Sequence, residues 1–472
     1  SDLPHTDVRF VDQAEFQAEA GFLIRERLAS HFKAHFRAST IGATWQLGSG
    51  RGQGSETILP HSQGLDILIP QPAYERRRPG LSGGIKAPLT TYGRQKKMVI
   101  KELDLRTWLR AGGNEIKSYR LGAAMSPEMF RNIVRKEAAQ MLSRGHGFWY
   151  YDISTGMFRD PLMMEVAAET VRAYQELELE NPQFYQPEVA LVYTDDADYW
   201  LRKGFSSDNF VSITDRYTPF HLRESGIVFD EVYLSDLLNR PEPAPYKVLV
   251  FLNAWRISAA QQAALEAKYK NGGRTLVWNY AAGYVSDHGL SDKAVSQLTG
   301  FRVKSKEIAT LPVVTLENGN IPGYGEVAFL VSRQGTHSRS LPKGSRLFVI
   351  DDPEATTLGR YPDGTTAIAL RNHGQWKSVY FALPGTLDAG ILRQLAKEAG
   401  AHCLCNDRVI CEFNGRFLSL HGLENGTVHL NFPTEGVLAD FSSGEMAGSG
   451  RQIAVPMKAG ETRWFRFTPS NP

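Results

Sequence analysis

The sequence predicts an α/β protein in three units: a parallel sheet alternating with helices, an open doubly wound sheet, and a small antiparallel β-sandwich. Three observations support this prediction. Short apolar runs alternate with helical segments as far as residue 179, a second such series begins at Glu188 after a proline-containing stretch, and period-2 runs with Asn-Gly turns begin at Val409. The expected units are 1–186, 187–406 and 407–472.

Hydrophobic periodicity defines the elements of the first unit. Apolar residues recur at helical spacing over 11–37, and Ser126 precedes Pro127 as the N-cap of a helix over 127–143. A further helix is expected over 161–179. Four strand-sized apolar runs are expected to form the parallel sheet, at 36–43, 65–70, 97–101 and 146–153.

The second unit repeats the alternation, and the third replaces it with hairpins. Helices are expected near Phe220, over 258–270 and over 388–399. The expected strands lie at 188–194, 229–234, 246–251, 274–278 and 376–382. In the third unit, Asn414-Gly415 and Asn425-Gly426 are turn pairs typical of antiparallel hairpins.

Composition excludes several classes of protein. The 472 residues are 42% hydrophobic, which is enough for more than one core, and the net charge of +2 gives no general attraction to nucleic acid. No apolar run approaches the roughly 20 residues of a membrane helix, and no targeting segment is visible, which favours the cytoplasm without fixing the compartment. The three cysteines match neither a disulfide framework nor a zinc pattern, so core packing is expected for Cys403, Cys405 and Cys411.

Aromatic and carboxylate side chains follow the four early strands. They are Trp45 and Gln46, the segment 70–74 with Tyr74, then Glu102 and Asp104, and finally Trp149, Tyr150 and Asp152. Because the carboxyl ends of parallel strands meet at one edge, this pattern predicts a carbohydrate-sized active site on a β/α barrel. The alternative is that these side chains cap a core.

Three of these segments resemble a known family. The run 96–109, Lys-Lys-Met-Val-Ile-Lys-Glu-Leu-Asp-Leu-Arg-Thr-Trp-Leu, resembles the seventh barrel strand of glycoside hydrolases related to the family 42 β-galactosidases. The run 145–152, Gly-His-Gly-Phe-Trp-Tyr-Tyr-Asp, resembles their eighth strand, and 64–74 resembles their sixth. The resemblance implies a retaining hydrolase of β-linked, galactose-like sugars with Glu102 as the nucleophile.

The resemblance also implies an architecture and a set of partners. The first unit would be the C-terminal half of a (β/α)8 barrel, strands five to eight, followed by a flavodoxin-like trimerisation domain and a β-domain. A carbohydrate substrate and a homotrimer are expected, with no metal or organic cofactor. Trp45 and Trp149 are expected to stack on the sugar, and Tyr74, Tyr150 and Asp152 are expected to hydrogen-bond the sugar or orient Glu102. An aromatic region is expected at the subunit interface, with packing of the second unit on the barrel as the alternative: Tyr199, Trp200, Phe205, Phe210, Tyr217 and Phe220.

The sequence departs from this family in one respect. The family's acid/base is a Glu preceded by Asn at the end of the fourth strand, and no such pair precedes Phe36. Retaining hydrolysis needs a second carboxyl group about 5 to 5.5 Å from the nucleophile, whereas Asp104 would lie beside Glu102 on one strand. Glu56 is the other early carboxylate considered. The acid/base is therefore expected on a companion chain or segment that supplies strands one to four. The alternative function is a noncatalytic carbohydrate-binding or oligomerisation module.

Other motifs indicate no further chemistry. The glycine-rich loop 48–54 fits no dinucleotide or P-loop spacing and is interpreted as a loop over the sugar site. The basic run 76–78 is interpreted as a solvated loop, with a contact to an acidic saccharide as the alternative. His31 and His35 lie one helical turn apart without a third ligand, so no metal site is predicted.

Overall fold

Three main sheets, connected and covered by helices, make up the described part of the chain. The structure is a computed structural model of all 472 residues. It describes residues 7–36, 42–45, 61–70, 76–85, 87–110, 123–152, 156, 158–177, 185–194, 197–200, 210–309, 313–317 and 345–470. The predicted mixed α/β fold with parallel sheets is confirmed. None of the helices in these ranges is both long and apolar enough to cross a bilayer.

The first sheet has four strands in sequence order, and every pairing is parallel. Its strands are β1 (Gly42–Trp45), β2 (Ile67–Pro70), β3 (Met98–Leu103) and β4 (Gly147–Tyr150). Its helices are α1 (Val8–His35), α2 (Leu89–Arg94), α3 (Pro127–Leu142) and α4 (Pro161–Glu176). Helix α2 has six residues and no side-chain N-cap, which explains why sequence periodicity missed it.

Helix α3 covers one face of this sheet. It begins where predicted, since the Ser126 hydroxyl accepts a hydrogen bond from the Met129 backbone N–H at 3.1 Å and Pro127 occupies the first turn. Its buried side packs beneath β3, whose side chains alternate between a buried and a more accessible face. Val99, Lys101 and Leu103 lie on the buried face, so Ile100 and Glu102 lie on the other.

The second sheet has ten strands and mixed topology. Its parallel part, in the order β16-β8-β7-β5-β6, is the predicted open sheet, with separate apolar cores on its two faces. The parallel strands are β5 (Val189–Tyr193), β6 (Asp230–Tyr233), β7 (Val248–Leu252), β8 (Arg274–Asn279) and β16 (Trp376–Phe381). The helices are α5 (Ala197–Trp200), α6 (Phe210–Glu224), α7 (Leu234–Asn239), α8 (Ala259–Lys268), α9 (Asp292–Thr299) and α10 (Ala389–Glu398).

An antiparallel extension continues this sheet beyond β16, and the sequence did not predict it. It consists of β11 (Val303–Glu307), β12 (Thr315–Leu316), β13 (Arg346–Ile350), β14 (Thr356–Arg360) and β15 (Thr366–Asn372). A separate two-stranded ribbon precedes it, β9 (Val285–Ser286) with β10 (Gly289–Leu290). Prolines and glycines between short strands hid this pattern, because no strand except β15 exceeds five residues.

The third sheet is antiparallel, with the strand order β17-β18-β21-β19-β20. The strands are β17 (Val409–Phe413), β18 (Phe417–Gly422), β19 (Gly426–Asp440), β20 (Met446–Met457) and β21 (Thr462–Pro469). All five join in one continuous sheet, so the predicted two-sheet sandwich is wrong. One face carries the apolar core of this unit, with Phe465 and Phe467 of β21, and the opposite face packs on α3, where Trp464 is 1% exposed and its indole Nε1 donates to the Arg135 carbonyl at 3.2 Å.

A buried ion network joins the helices and strands of the three sheets. We use this name for Arg144 in the turn after α3, Arg223 on α6, Glu231 on β6 and Glu412 on β17. Glu412 pairs with Arg144 and, at 2.9 Å, with Arg223, which also lies 3.2 Å from Glu231. All four side chains are at most 7% exposed. Burial alone would raise the pKa of Glu412, but the two guanidinium groups outweigh it and lower the pKa.

Two of the aromatic residues predicted at a subunit interface pack against other parts of the same chain. Tyr199 is 8% exposed and packs with Val11 and Ala18 of α1. Phe220 is 2% exposed, with the Arg76 guanidinium 5.0 Å from its ring centroid. For these two rings, the predicted interface contacts are therefore replaced by contacts within the chain. Phe205 and the side chains of Phe210 and Tyr217 lie outside the described residues, and the homotrimer itself stays a prediction.

We expect Gly226→Ala to destabilise the fold more than Gly273→Ala. Both glycines have a left-handed backbone, φ +77° and φ +73°, so alanine costs about 1 kcal/mol at either site. A Cβ on Gly226 would also lie 2.7 Å from the Asp407 carbonyl oxygen, whereas a Cβ on Gly273 would meet nothing within 4 Å. The clash should add about 1–3 kcal/mol in urea unfolding. Equal losses would show that the contact between Gly226 and Asp407 relaxes without cost.

Candidate active site

Glu102 lies at the carboxyl end of β3, on the face turned away from α3. The parallel register pairs it with Trp149 of β4, and paired residues of neighbouring strands project from the same side of a sheet. Glu102 is partly exposed, whereas Lys101 and Leu103 on either side of it are buried. The structure therefore brings the predicted nucleophile and one predicted stacking residue together at one edge.

Burial and a like charge act on the Glu102 carboxyl group. Partial burial raises its pKa, and the negative charge of Asp104, two residues further along, raises it further. A carboxylate with a raised pKa is a stronger nucleophile once ionised, and it loses its charge at a higher pH than an ordinary glutamate. Carboxyl groups with shifted pKa values are frequent at functional sites, which makes Glu102 a candidate for one.

Trp149 and Tyr151 form an aromatic surface beside Glu102. Trp149 is 37% exposed, and its ring centroid lies 5.3 Å from that of Tyr151, with the two planes at 54°. The Tyr151 backbone N–H donates to the Leu103 carbonyl at 3.2 Å, which extends the pairing of β4 with β3 by one residue. Tyr151 was not among the predicted site residues. Counting in twos from Trp149 along an extended strand would have selected it.

The structure contradicts the sugar-binding role predicted for Tyr150. Its register partner is Leu103, so it lies on the α3 face, opposite to Glu102. Its ring packs against Phe130, stacked at 6.5 Å, and Phe158, edge-on at 5.5 Å. Burial raises its pKa to about 12. Tyr150 is a core residue between the sheet and the helices, because odd and even positions of a strand face opposite sides.

The other predicted site residues are Asp152, whose side chain is described, Trp45, of which the backbone is described, and Tyr74, which lies outside the described residues. The Asp152 carboxylate accepts a hydrogen bond from the Gly156 backbone N–H at 2.6 Å, which closes the loop after β4. Trp45 ends β1 in register with Pro70, at the same carboxyl edge of the sheet as Glu102, but its side chain is not described. Tyr74, Glu56 and the loop 48–54 lie outside the described residues.

Buried polar groups bind β3 on its buried face and at its start. The Lys101 ammonium pairs with the Glu137 carboxylate of α3, and both side chains are fully buried. At the start of the strand the Val99 N–H donates to Nδ1 of His146 at 3.2 Å, while Nε2 of His146 lies 3.0 Å from the Leu89 carbonyl oxygen. Burial lowers the pKa of His146 to about 4, so this ring bridges the two backbone groups in its neutral form.

The basic run 76–78 is not the solvated loop that the sequence suggested. Arg77 is 2% exposed, and Arg76 pairs with the buried Glu224 of α6. Within the described ranges no three His, Cys, Asp or Glu side chains form a group able to hold a metal ion. His35 directs its Nδ1 to the His31 carbonyl oxygen at 2.8 Å, and the two imidazole rings lie 4.1 Å apart.

We expect Asp104→Asn to move the acid limb of activity to lower pH. The negative charge of Asp104 raises the pKa of Glu102, so removing that charge lets Glu102 ionise at lower pH. The measurement is the pH profile of kcat/KM with an activated aryl glycoside, which reports the free protein's groups. An acid limb that stays in place would mean that burial alone sets the pKa of Glu102.

Comparisons with known proteins address the fold. The chain matches no family model and no curated protein sequence. Among solved structures it is similar to the cold-adapted β-galactosidase from Rahnella sp. R3, with a TM-score of 0.65 and 15% identity over 97% of this chain and 68% of that chain. It is also similar to a GH42 β-galactosidase from G. stearothermophilus, with a TM-score of 0.61 and 14% identity over 97% of this chain and 68% of that one.

A third neighbour comes from an archaeon. The polyextremophilic β-galactosidase from the Antarctic haloarchaeon Halorubrum lacusprofundi has a TM-score of 0.57 and 12% identity, over 97% of this chain and 70% of that one. At these identities the likeness establishes a shared fold. The resemblance to the family 42 β-galactosidases that the sequence motifs indicated is confirmed at the level of structure.

Proposed function

We propose that this chain is a retaining glycoside hydrolase acting on β-linked, galactose-like sugars, with Glu102 as its nucleophile. The observation that carries the proposal is the position of Glu102. It is a partly buried carboxylate with a raised pKa, at the carboxyl end of a parallel strand and in register with the exposed Trp149. In β/α architectures that end of the sheet holds the catalytic groups. The fold similarity to β-galactosidases supports the substrate class.

In the proposed reaction Glu102 acts twice. One carboxylate oxygen attacks the anomeric carbon as the bond to the leaving oxygen breaks, and a second carboxyl group gives that oxygen its proton. Water, deprotonated by the same second group, then attacks the anomeric carbon and releases Glu102. The result is retained configuration at the anomeric centre.

The residues around Glu102 would bind and orient the sugar. The rings of Trp149 and Tyr151 offer faces for the apolar side of a pyranose, as aromatic surfaces commonly do in carbohydrate sites. Asp104 follows β3, near enough to Glu102 for its charge to act on that carboxyl group, and would accept hydrogen bonds from sugar hydroxyls. It is not assigned as the proton donor, because two carboxylates on one strand do not straddle a bond.

We assign the acid/base to a polypeptide segment or companion chain that adds strands to the first sheet. Among the described strands, β1 pairs only with β2 and β4 only with β3, so both outer strands present backbone groups for a further parallel partner. The exposed side of α1 and its C-cap carry an apolar row at intervals of four: Ile24, Leu28 and Phe32 of the helix are 60%, 55% and 47% exposed, and the C-cap residue Phe36 is 58% exposed. Such a row is typical of a surface that another element covers.

The proposal is tested by covalent labelling. A 2,4-dinitrophenyl 2-deoxy-2-fluoro-β-galactoside has a leaving group that needs no protonation, so a correctly placed nucleophile is sufficient for the first step. We expect intact-mass analysis to show one sugar added and peptide mapping to place it on Glu102. The β-mannoside and β-glucoside reagents test the sugar preference. Sugar binding without labelling would favour the noncatalytic carbohydrate-binding module.

A further inference from the structure

The segment 76–84, which follows β2 and which we call the arginine loop, contacts the end of β3. Arg77 of this loop is 2% exposed, and its guanidinium Nη1 donates a hydrogen bond to the backbone carbonyl oxygen of Asp104. Asp104 lies two residues after Glu102. A buried arginine therefore binds the backbone immediately beyond the proposed nucleophile.

The backbone at this point needs such a donor. The Leu105 N–H donates to the Leu103 carbonyl at 2.9 Å, so the chain turns tightly at Asp104 and leaves the strand ladder. A carbonyl that leaves a ladder in a partly buried place is stabilised by another hydrogen bond, and a charged donor makes a stronger one than an amide. Arg77 thus fixes the turn that ends β3 directly after Glu102.

The arginine loop is itself held rigidly by α3. The Lys136 ammonium is buried and donates to three loop carbonyls, those of Arg77 at 2.9 Å, Arg78 at 3.0 Å and Leu81 at 2.7 Å. These three bonds use all three protons of the ammonium group. The Glu137 carboxylate accepts the Gly84 N–H at 3.1 Å, so successive residues of one helix hold both parts of the loop.

The second and third sheets also reach the loop. The Arg76 guanidinium pairs with Glu224 of α6, and the Gly80 N–H donates to Nε2 of His421 on β18 at 2.8 Å. His421 is 1% exposed and is held in turn by the Thr462 hydroxyl at 2.8 Å from its Nδ1. The loop that carries Arg77 is therefore anchored on elements of all three sheets.

We infer that Arg77 is a positioning residue for Glu102: it fixes the turn at Asp104, and with it the direction of the Glu102 carboxylate. The arginine loop connects the turn at Asp104 to the second and third sheets, and its bonds to both sheets restrict movement of that turn. This inference rests on the proposed function and deepens it, since it explains what the units outside the first sheet contribute to the chemistry.

Three variants test the inference. Arg77→Met removes the donor, and we expect kcat for an activated aryl β-galactoside to fall about 100-fold with KM within about threefold, because a displaced nucleophile costs rate more than binding. Arg77→Lys keeps the charge but loses the guanidinium fork, and it should recover part of the loss. Arg144→Lys is the matched control, because its buried guanidinium also donates to a carbonyl, that of Phe229 at 3.0 Å, away from Glu102. Its kcat should stay within about twofold of wild type.

Hydrogen exchange gives a readout that does not depend on activity. Amide exchange in the peptide covering residues 98–110 should rise in Arg77→Met and remain unchanged in Arg144→Lys. An Arg77→Met protein with wild-type kcat, or a loss of kcat equal in Arg77→Met and Arg144→Lys, would overturn the positioning role while leaving the proposed function in place. Wild-type protein that neither turns over aryl glycosides nor accepts the fluorosugar label would overturn the proposed function and this inference with it.

Discussion

Glu102→Gln should reduce turnover of activated aryl β-galactosides by about 10⁴- to 10⁶-fold while the protein remains folded. The amide keeps the shape and hydrogen-bonding capacity of the carboxyl group, but it carries no negative charge with which to attack the anomeric carbon. Because Glu102 is only partly buried and its neighbours Lys101 and Leu103 supply the packing, the urea midpoint should change little. Glu266→Gln, at an exposed carboxylate of α8, serves as the control and should leave turnover unchanged.

A second measurement distinguishes a nucleophile from a proton donor. Glu102→Ala leaves space beside the anomeric carbon, and added azide should restore turnover by attacking from the side that Glu102 vacated. A nucleophile variant rescued in this way forms the α-galactosyl azide, whereas an acid/base variant forms the β-azide. Formation of the β-azide would reassign Glu102 to the acid/base role, and full activity of Glu102→Gln would move the nucleophile elsewhere.

Glu412→Ala should lower the free energy of unfolding by about 3–5 kcal/mol, the usual cost of leaving buried charges without a partner. Glu412 joins Arg144, in the turn after α3, to Arg223 of α6, and its loss removes the carboxylate paired with Arg144 and one of the two paired with Arg223. Its lowered pKa adds stability that is present above the ordinary pKa of glutamate and is lost as the pH falls through the folded-state value.

The measurement is urea unfolding at neutral and acidic pH. The difference between wild type and Glu412→Ala should shrink as the pH falls, because protonation removes the same charge from the wild-type protein. Asp351→Asn is the control, since Asp351 pairs with Lys304 on the exposed surface, and its unfolding curve should overlay that of wild type. A Glu412→Ala curve close to that of the control would mean that water reaches the two guanidinium groups.

The sequence predicted what local patterns determine. The strand-sized run 97–101 placed Glu102 directly after a parallel strand, which the structure extends to Leu103. Ser126-Pro127 marked the start of α3, because a cap and a proline act within one turn. The prediction for Tyr150 was wrong about which side of β4 this residue faces. Four aromatic and acidic residues in succession give no alternation by themselves, and only the register with β3 decides which of them share the side of Glu102.

Other features depend on partners distant in the chain. In the sequence, Lys101 is a single charged residue within an apolar strand. Its partner Glu137 lies 36 residues away, on a helix whose rotation the sequence does not specify. Arg77 and Asp104 meet only because the arginine loop folds back over the end of β3. The C-terminal sheet was expected to need a second layer, since nothing local to its hairpins shows that Trp464 packs on a helix 329 residues earlier.

The strand order of the third sheet has a consequence for the order of synthesis. Strand β21 is the last described strand to leave the ribosome, yet it lies in the middle of the sheet, between β18 and β19. Until it emerges, the β17-β18 and β19-β20 hairpins have no strand to join them. Trp464 of the same strand packs in one cluster with Ala138 and Ala139 of α3, which are 0% and 1% exposed. The parallel part of the second sheet can close before β21 has been synthesised, but helix α3 of the first sheet acquires this cover only after β21 has emerged.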